Sequence, residues 1–222
     1  PSLERAIWNR GGGPLHFDPG RTLPLGELPV SPGADGMGVV EAAGGGWFAR
    51  RLVGRRVIVM GAASGNWREQ VVLPAMQAMP VPAGVSDEQA AMFLVNPMTA
   101  WAMVTQVLKV PRGAWLLQSG GASQLARMVI RLGRRRGFRT ISLVRRAGVA
   151  AELEGLGADA VVDASREDVL ARVAALTGNA GVRHALDCVG ADTMATLLRS
   201  LAPGAHLLCY GSLGGDMLHF PV

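Results

Sequence analysis

From Ala114 to the end of the chain, short apolar runs alternate with segments of helical periodicity, and no other feature restricts the fold as tightly. Ala114 to Gln118 (AWLLQ) reads as a buried strand. Ser123 to Arg134 follows with apolar residues at Leu125, Met128, Val129 and Leu132, the i, i+3, i+4, i+7 spacing of an amphipathic helix. Arg139 to Val144 (RTISLV) is the next strand, after which AGVAAELEGLG leads into ADAVVD, REDVLARVAALTG into VRHALDCV, and DTMATLLRSLAPG into AHLLCYG. Five β units in a row, with strands too apolar to face water, predict a parallel sheet covered by helices on both faces. This is a doubly wound α/β fold.

The first hundred residues follow another pattern. Gly36 to Glu41, Arg56 to Met60 and Gln70 to Leu73 are short β-prone pieces between Gly, Pro and Asn turns, so this part reads as all-β. Ser86 is a candidate N-cap, with Gln89 completing a capping box, for a helix through Ala91. Asn96 and Pro97 are expected to interrupt it, and a second helix runs from about Thr99 to Leu108. The domain division expected is 1–95 and 96–222.

Composition removes several function classes. With 49% hydrophobic and 18% charged residues there is ample material for a core, and 30 Gly with 13 Pro against one Tyr suit tight βα turns rather than an aromatic-rich sandwich. No apolar run approaches the roughly 18 residues of a membrane span, so no membrane partner is expected. The net charge of +5 is carried by arginine, Lys109 being the sole lysine. Arg134, Arg135 and Arg136 fall where a helix should end and cations complement its dipole, and no basic stripe with interleaved aromatics points to nucleic acid. Cys188 and Cys209 lie in apolar segments and read as core residues. His16, His184, His206 and His219 lack metal-ligand spacing, so no metal is expected.

Strand AWLLQ runs into Ser119, Gly120, Gly121, Ala122, Ser123, Gln124, Leu125 and Ala126 and then the helix. Counted from Gly121 this is G-x-S-x-x-A in place of G-x-G-x-x-G. The last position needs only a small side chain where helix meets strand, and Ser still allows close approach to a pyrophosphate at the helix N-terminus. A bland glycine-rich βα turn would look the same; the β units around it favour a dinucleotide. An NAD site usually places Asp or Glu at the end of the second strand, but here that strand ends in Val144, Arg145 and Arg146. Guanidinium forks suit a ribose 2′-phosphate, so the expected cofactor is NADP(H). Tyr210, Gly211, Ser212 and Leu213 leave the last strand on the same carboxyl edge, near the expected nicotinamide.

On these residues the chain resembles the zinc-free medium-chain dehydrogenase/reductases, and within them the trans-2-enoyl thioester (enoyl-CoA/ACP) reductases of mitochondrial type. Its landmarks are the Pro32-Gly33-Ala34-Asp35-Gly36-Met37-Gly38-Val39-Val40 turn and Gly65-Asn66-Trp67. Further along come Asn96-Pro97-Met98-Thr99-Ala100-Trp101 and the Thr140 to Arg145 strand. The resemblance implies a partial GroES-like β domain joined to a Rossmann domain. It implies that Asn96 contacts the cofactor and that Ala122, Ser123, Gln124 and Leu125 cradle the pyrophosphate. Arg145 and Arg146 would meet the 2′-phosphate, and Tyr210 to Leu213 would line the nicotinamide end. It also implies a homodimer in the full-length protein and a C-terminally incomplete Rossmann domain here, so the chain reads as a piece of a longer one. A cytoplasmic location is expected, with any mitochondrial leader lying outside this chain.

The family's proton-donating tyrosine should follow Pro1-Ser2 shortly, yet no Tyr lies between Gly11 and Thr22. His16 stands in that stretch as a candidate acid. Three readings follow: reduction of an enoyl thioester by NADPH, hydride transfer to a quinone, or NADP(H) binding without catalysis.

Overall fold

A computed structural model describes Gly33 and Met217 together with residues 35–60, 65–146 and 148–215. The chain divides into two units, Pro1–Met98 and Thr99–Val222.

In the first unit β1 (Asp35–Val39), β2 (Arg56–Met60) and β3 (Ala78–Pro80) form an antiparallel sheet in that order. Central strand β2 buries Val57, Ile58 and Val59, and Leu52 and Ala78 complete a small core. The third strand is not Gln70–Leu73 as the sequence suggested. Among the described residues these find no ladder partner, and Val72 is 96% exposed, so β-branched content alone does not make them a strand. A short helix, α1 (Trp47–Arg50), precedes β2, and α2 (Asp87–Ala91) follows β3. Helix α2 begins as expected: the Gln89 N–H donates to Ser86 Oγ at 3.3 Å and the Ser86 N–H donates to Gln89 Oε1 at 3.1 Å. Arg56 ties β2 to this cap through Val85 O at 2.9 Å and the Asp87 carboxylate. The two landmark turns also meet, for the Asn66 N–H donates to Gly33 O at 3.0 Å. Gly33 has a φ of 99°, and a Cβ there would lie 2.2 Å from the Trp67 ring.

Pro97 does not break a helix; it sits in the first turn of one. Helix α3 runs Val95–Ala102, and a proline so close to its start removes an N–H that has no intrahelical acceptor anyway. The expected helix end at Leu108 becomes a π-helical turn, Met103–Val107, closed by the Leu108 N–H on Met103 O at 2.9 Å.

The second unit holds a wholly parallel sheet of β4 (Trp115–Gln118), β5 (Arg139–Val144), β6 (Ala160–Asp163), β7 (Val182–Asp187) and β8 (Leu201–Cys209), in the order β6-β5-β4-β7-β8. Its helices are α4 (Gln124–Arg136), α5 (Ala150–Leu156), α6 (Val169–Thr177) and α7 (Ala191–Arg199). Adjacent Leu116 and Leu117 point to opposite faces and both are fully buried. Leu116 packs with Leu125 and Val129 of α4, and Leu117 with Val169 and Val173 of α6 and Leu197 of α7. Covering on both faces is why these strands lack the polar alternation of a half-exposed sheet.

Arg134, Arg135 and Arg136 do occupy the last turn of α4, which ends on Gly137 in the left-handed conformation, φ 82°. Two expectations at the far edge fail. Leu201 to Gly204, read as the end of a helix, begin β8 and make an irregular pairing in which Val182 faces Leu201 but His184 faces His206. Cys209 is exposed on this edge strand, whereas Cys188 is buried.

His184 gives the sheet a pH dependence. Burial pushes its imidazole below the ordinary range, a hydrogen bond with the Trp115 backbone opposes this, and His206 and Arg183 add smaller lowering charges. The unfolded chain thus binds the proton more readily. Stability is expected to be full above about pH 6.5 and to fall as pH drops toward the folded-state value. Thermal melts of His184→Asn should show a shallower decline between about pH 7 and 5 than the parent chain.

Candidate active site

The carboxyl ends of β4, β5 and β8 carry every predicted site residue of the second unit. After β4 the chain turns through Gly120, φ 57°, and the Ser123 N–H donates to Gly120 O at 2.8 Å. Ser123 caps α4, its Oγ accepting from the Ala126 N–H at 3.2 Å. Gln124 and Leu125 form the first turn of α4, where backbone N–H groups lack intrahelical acceptors.

The two glycines have different roles. Gly120, not Gly121, has the positive φ of the tight turn. Gly121 is pressed against β5: a Cβ there would lie 2.8 Å from Ser142 Cβ and 3.0 Å from Leu143 O, and its N–H donates to Leu143 O at 2.8 Å. Ser142 is in turn held by Gln118, whose Nε2 donates to its Oγ at 2.9 Å. The turn is thereby fixed to the strand that ends in Arg145 and Arg146.

Both arginines are exposed and make no hydrogen bond or ion pair among the described residues. Beside them, Arg127 of α4 donates from Nε to Ala122 O at 3.0 Å and grips the Glu152 carboxylate with both terminal nitrogens. That hydrogen bonding holds the Glu152 carboxyl below its usual range against the opposing effect of burial, and the charges of Arg127 and Arg146 add to it. Arg127 is therefore a strut between the turn and α5, each of its three nitrogens already bonded. Arg145 and Arg146 are exposed cations at this strand end with no such bond among the described residues.

Sequence reasoning missed Asp187, at the end of β7. It is fully buried, yet its carboxylate accepts from Ser119 Oγ at 2.5 Å, the Val189 N–H at 3.1 Å and the Gly190 N–H at 2.8 Å. Ser119 Oγ accepts from the Cys188 N–H at 3.0 Å. The loop after β8 joins on: the Tyr210 N–H donates to Asp187 O at 2.8 Å, Leu213 N–H to Cys188 O at 3.1 Å and Gly214 N–H to Val189 O at 2.6 Å. The one available signal was an acidic residue closing the otherwise apolar run ALDCV. Gly211 backs onto this loop, with no room for a Cβ 2.9 Å from Cys188 O. The Tyr210 side chain packs with the Leu125, Val129 and Leu186 cluster, and burial pushes its hydroxyl far above the ordinary phenol range. Tyr210 thus contributes its backbone to the edge, and its ring to the core.

Asn96 lies in the first turn of α3, within the first unit. His16 lies outside the described residues, as do Pro1 and Ser2. Among the described residues no group of three or more His, Cys, Asp or Glu is placed to hold a metal ion, and no helix is long and apolar enough to cross a membrane.

Strands β4 and β7 are the neighbours at which the chain order reverses, the place where open α/β sheets bind ligands beyond the carboxyl ends. The parallel sheet, its strand order and its covering helices define a Rossmann-type domain. Residues 125–222 match the family described as "Zinc-binding dehydrogenase". The chain is 30% identical over 198 residues to the mitochondrial enoyl-[acyl-carrier-protein] reductase of Caenorhabditis elegans, covering 87% of this chain and 56% of that protein. Among solved structures it is similar to Escherichia coli quinone oxidoreductase complexed with NADPH, at 25% identity and a TM-score of 0.79 over 87% of this chain and 59% of that one. It is also similar to the Etr1p/NADP/crotonyl-CoA complex, at 26% identity and a TM-score of 0.76 over 86% and 58%. This chain belongs to the zinc-free medium-chain dehydrogenase/reductases of the enoyl reductase and quinone oxidoreductase type. It spans about half the length of the curated relatives it matches.

Proposed function

We propose that the chain is part of an NADPH-dependent oxidoreductase that reduces a C=C bond conjugated to a carbonyl, with a trans-2-enoyl thioester as substrate. The observation that carries this is the pair of exposed guanidiniums, Arg145 and Arg146, which make no hydrogen bond or ion pair among the described residues, at the end of the strand against which Gly121 is pressed. A 2′-phosphate and a pyrophosphate need that combination of cations, a close backbone and a helix N-terminus. The E. coli quinone oxidoreductase structure is a complex with NADPH, and the Etr1p structure a complex with NADP and crotonyl-CoA.

When bound, the cofactor supplies a hydride for the β carbon of the substrate. The chain's residues bind and orient it: Gly121 to Leu125 hold the pyrophosphate, Arg145 and Arg146 the 2′-phosphate, Tyr210 to Leu213 the nicotinamide end, and Asn96 is a further cofactor contact. Residues 1–95 are part of a GroES-like domain that presents the substrate. His16 is the acid proposed to protonate the α carbon. The full-length protein pairs as a homodimer, and a cytoplasmic setting, or a mitochondrial one like that of the named relatives, suits this chemistry.

A second reading, hydride transfer to a quinone, is favoured by one observation: the first 95 residues contain no tyrosine, and a quinone asks less of a positioned acid. Fluorescence titration with NADPH, followed by NADPH oxidation with a crotonyl thioester and with a small quinone, separates the cases. Thioester turnover supports the first reading and quinone turnover alone the second. Binding without turnover leaves a non-catalytic NADP(H) protein, and failure to bind NADPH overturns all three.

A further inference from the structure

We infer that Asp187, acting with Ser119, is the positioning residue that makes the two ends of the nucleotide crevice one rigid body. This rests on the cofactor reading above and adds to it a role for a residue that does not touch the ligand.

The ladder between β4 and β7 ends with Gln118 opposite Leu186. Beyond that pair the Ser119 N–H still donates to Leu186 O at 3.0 Å, β4 gives way to its loop, and β7 ends one residue later at Asp187, opposite Cys209 of β8; the buried carboxylate sits there. An ionised carboxylate removed from water is costly unless donors surround it, and here three donors come from two loops: the Ser119 hydroxyl after β4, and the Val189 and Gly190 N–H groups after β7. Ser119 leads directly into the Gly120 turn of the pyrophosphate site. Val189 and Cys188 hold Gly214 and Leu213 of the nicotinamide end through their carbonyls. The path from one end of the cofactor to the other therefore runs from Ser119 through Asp187 to the 188–190 loop and on to 213–214.

There is little slack along it. A Cβ on Gly120 would lie 2.6 Å from Cys188 Sγ, and one on Gly190, φ 76°, would lie 2.4 Å from Gly215 O. Both loops approach as closely as backbone allows, so a change at the carboxylate is passed on rather than absorbed. A ligand that spans both ends gains from this rigidity; one that occupies only the adenosine end does not.

Two ligands and two variants test it. Asp187→Asn keeps the shape but replaces an acceptor with an NH2 group that cannot accept from the donors facing it. In this variant the Kd for NADPH is expected to rise about tenfold or more, the scale of a lost charge-assisted hydrogen bond. The Kd for adenosine 2′,5′-bisphosphate should stay within about twofold, since it occupies only the adenosine end and makes no use of the latch. Ser119→Ala, which removes one donor and leaves the carboxylate, should show the same selectivity at about threefold, as for a weaker net hydrogen bond. It decides the matter if Asp187→Asn does not fold, as judged by circular dichroism. Unchanged NADPH affinity in the folded variants, or equal weakening of both ligands, overturns the inference alone. A parent chain that binds neither ligand overturns the cofactor reading and this inference with it.

Discussion

Replacing Arg145 by glutamate is expected to lower the affinity for NADPH, relative to NADH, by about a hundredfold. The two cofactors differ only at the ribose 2′ position, so the ratio isolates what the end of β5 does. A hydrogen bond to a charged group contributes about 1.5–3 kcal/mol, and placing a carboxylate beside a phosphate adds repulsion to the loss. Two to three kcal/mol corresponds to roughly a hundredfold. Arg145 should be more sensitive than Arg146, because the Glu152 carboxylate already lies within reach of the Arg146 charge. NADH affinity should be nearly unchanged or should rise, since glutamate can accept from a free 2′-hydroxyl. Fluorescence titration of both cofactors against parent and variant reads the ratio, and an unchanged ratio would mean that the 2′-phosphate is bound elsewhere.

The sign of that prediction depends on a position legible in the sequence, and the reason is local. Strand β5 carries Ile141, Leu143 and Val144, buried together with Ser142 because helices cover both its faces, so the two arginines that follow mark its end clearly. Burial on both faces likewise made β4 readable, with Leu116 and Leu117 both fully buried. Where structure depends on a partner rather than on composition, the sequence misled. Val71 and Val72 look like strand residues but pair with no strand among the described residues, whereas Ala78–Pro80, an unpromising triplet, pairs with β2. Leu201 to Gly204 continue a helical pattern yet join β8, because the irregular pairing with β7 takes them up.

At the site, the limit on sequence reading was distance along the chain. Ser119 and Asp187 are brought within 2.5 Å across the β4–β7 boundary, a pairing that neither neighbourhood announces. Asp187 reads as a polar residue at a strand end, and only the fold shows it encircled by donors. Arg127 is similar. Its helical position marks it as a solvated cation, but its contacts with Ala122 O and Glu152 remove it from the pool of ligand-binding charges. The sequence thus located the cofactor end and left its supporting residues unseen.

Gly121→Val should reduce stability by about 3 kcal/mol, near the upper end of what overpacking costs, and lower the melting temperature of the second unit by roughly 10 °C. The added Cβ would meet Ser142 Cβ at 2.8 Å and the Leu143 carbonyl at 3.0 Å, one fixed by its bond from Gln118 and the other by backbone hydrogen bonding. Neither is the free end of a flexible side chain, so relief must come from moving the turn away from β5. That movement breaks the Gly121 N–H bond to Leu143 O and separates the pyrophosphate turn from the strand bearing Arg145 and Arg146. NADPH affinity should accordingly fall by at least about tenfold in the protein that remains folded, one charge-assisted contact being worth that much. Gly155→Ala is the control of opposite sign: it lies exposed in α5 with open space around its Cα, and should gain about 0.5–1 kcal/mol from helix propensity. Thermal melts of the two variants, with NADPH titration of each, test both halves. A Gly121→Val protein as stable as its parent would show that the turn is not held against β5 by this contact.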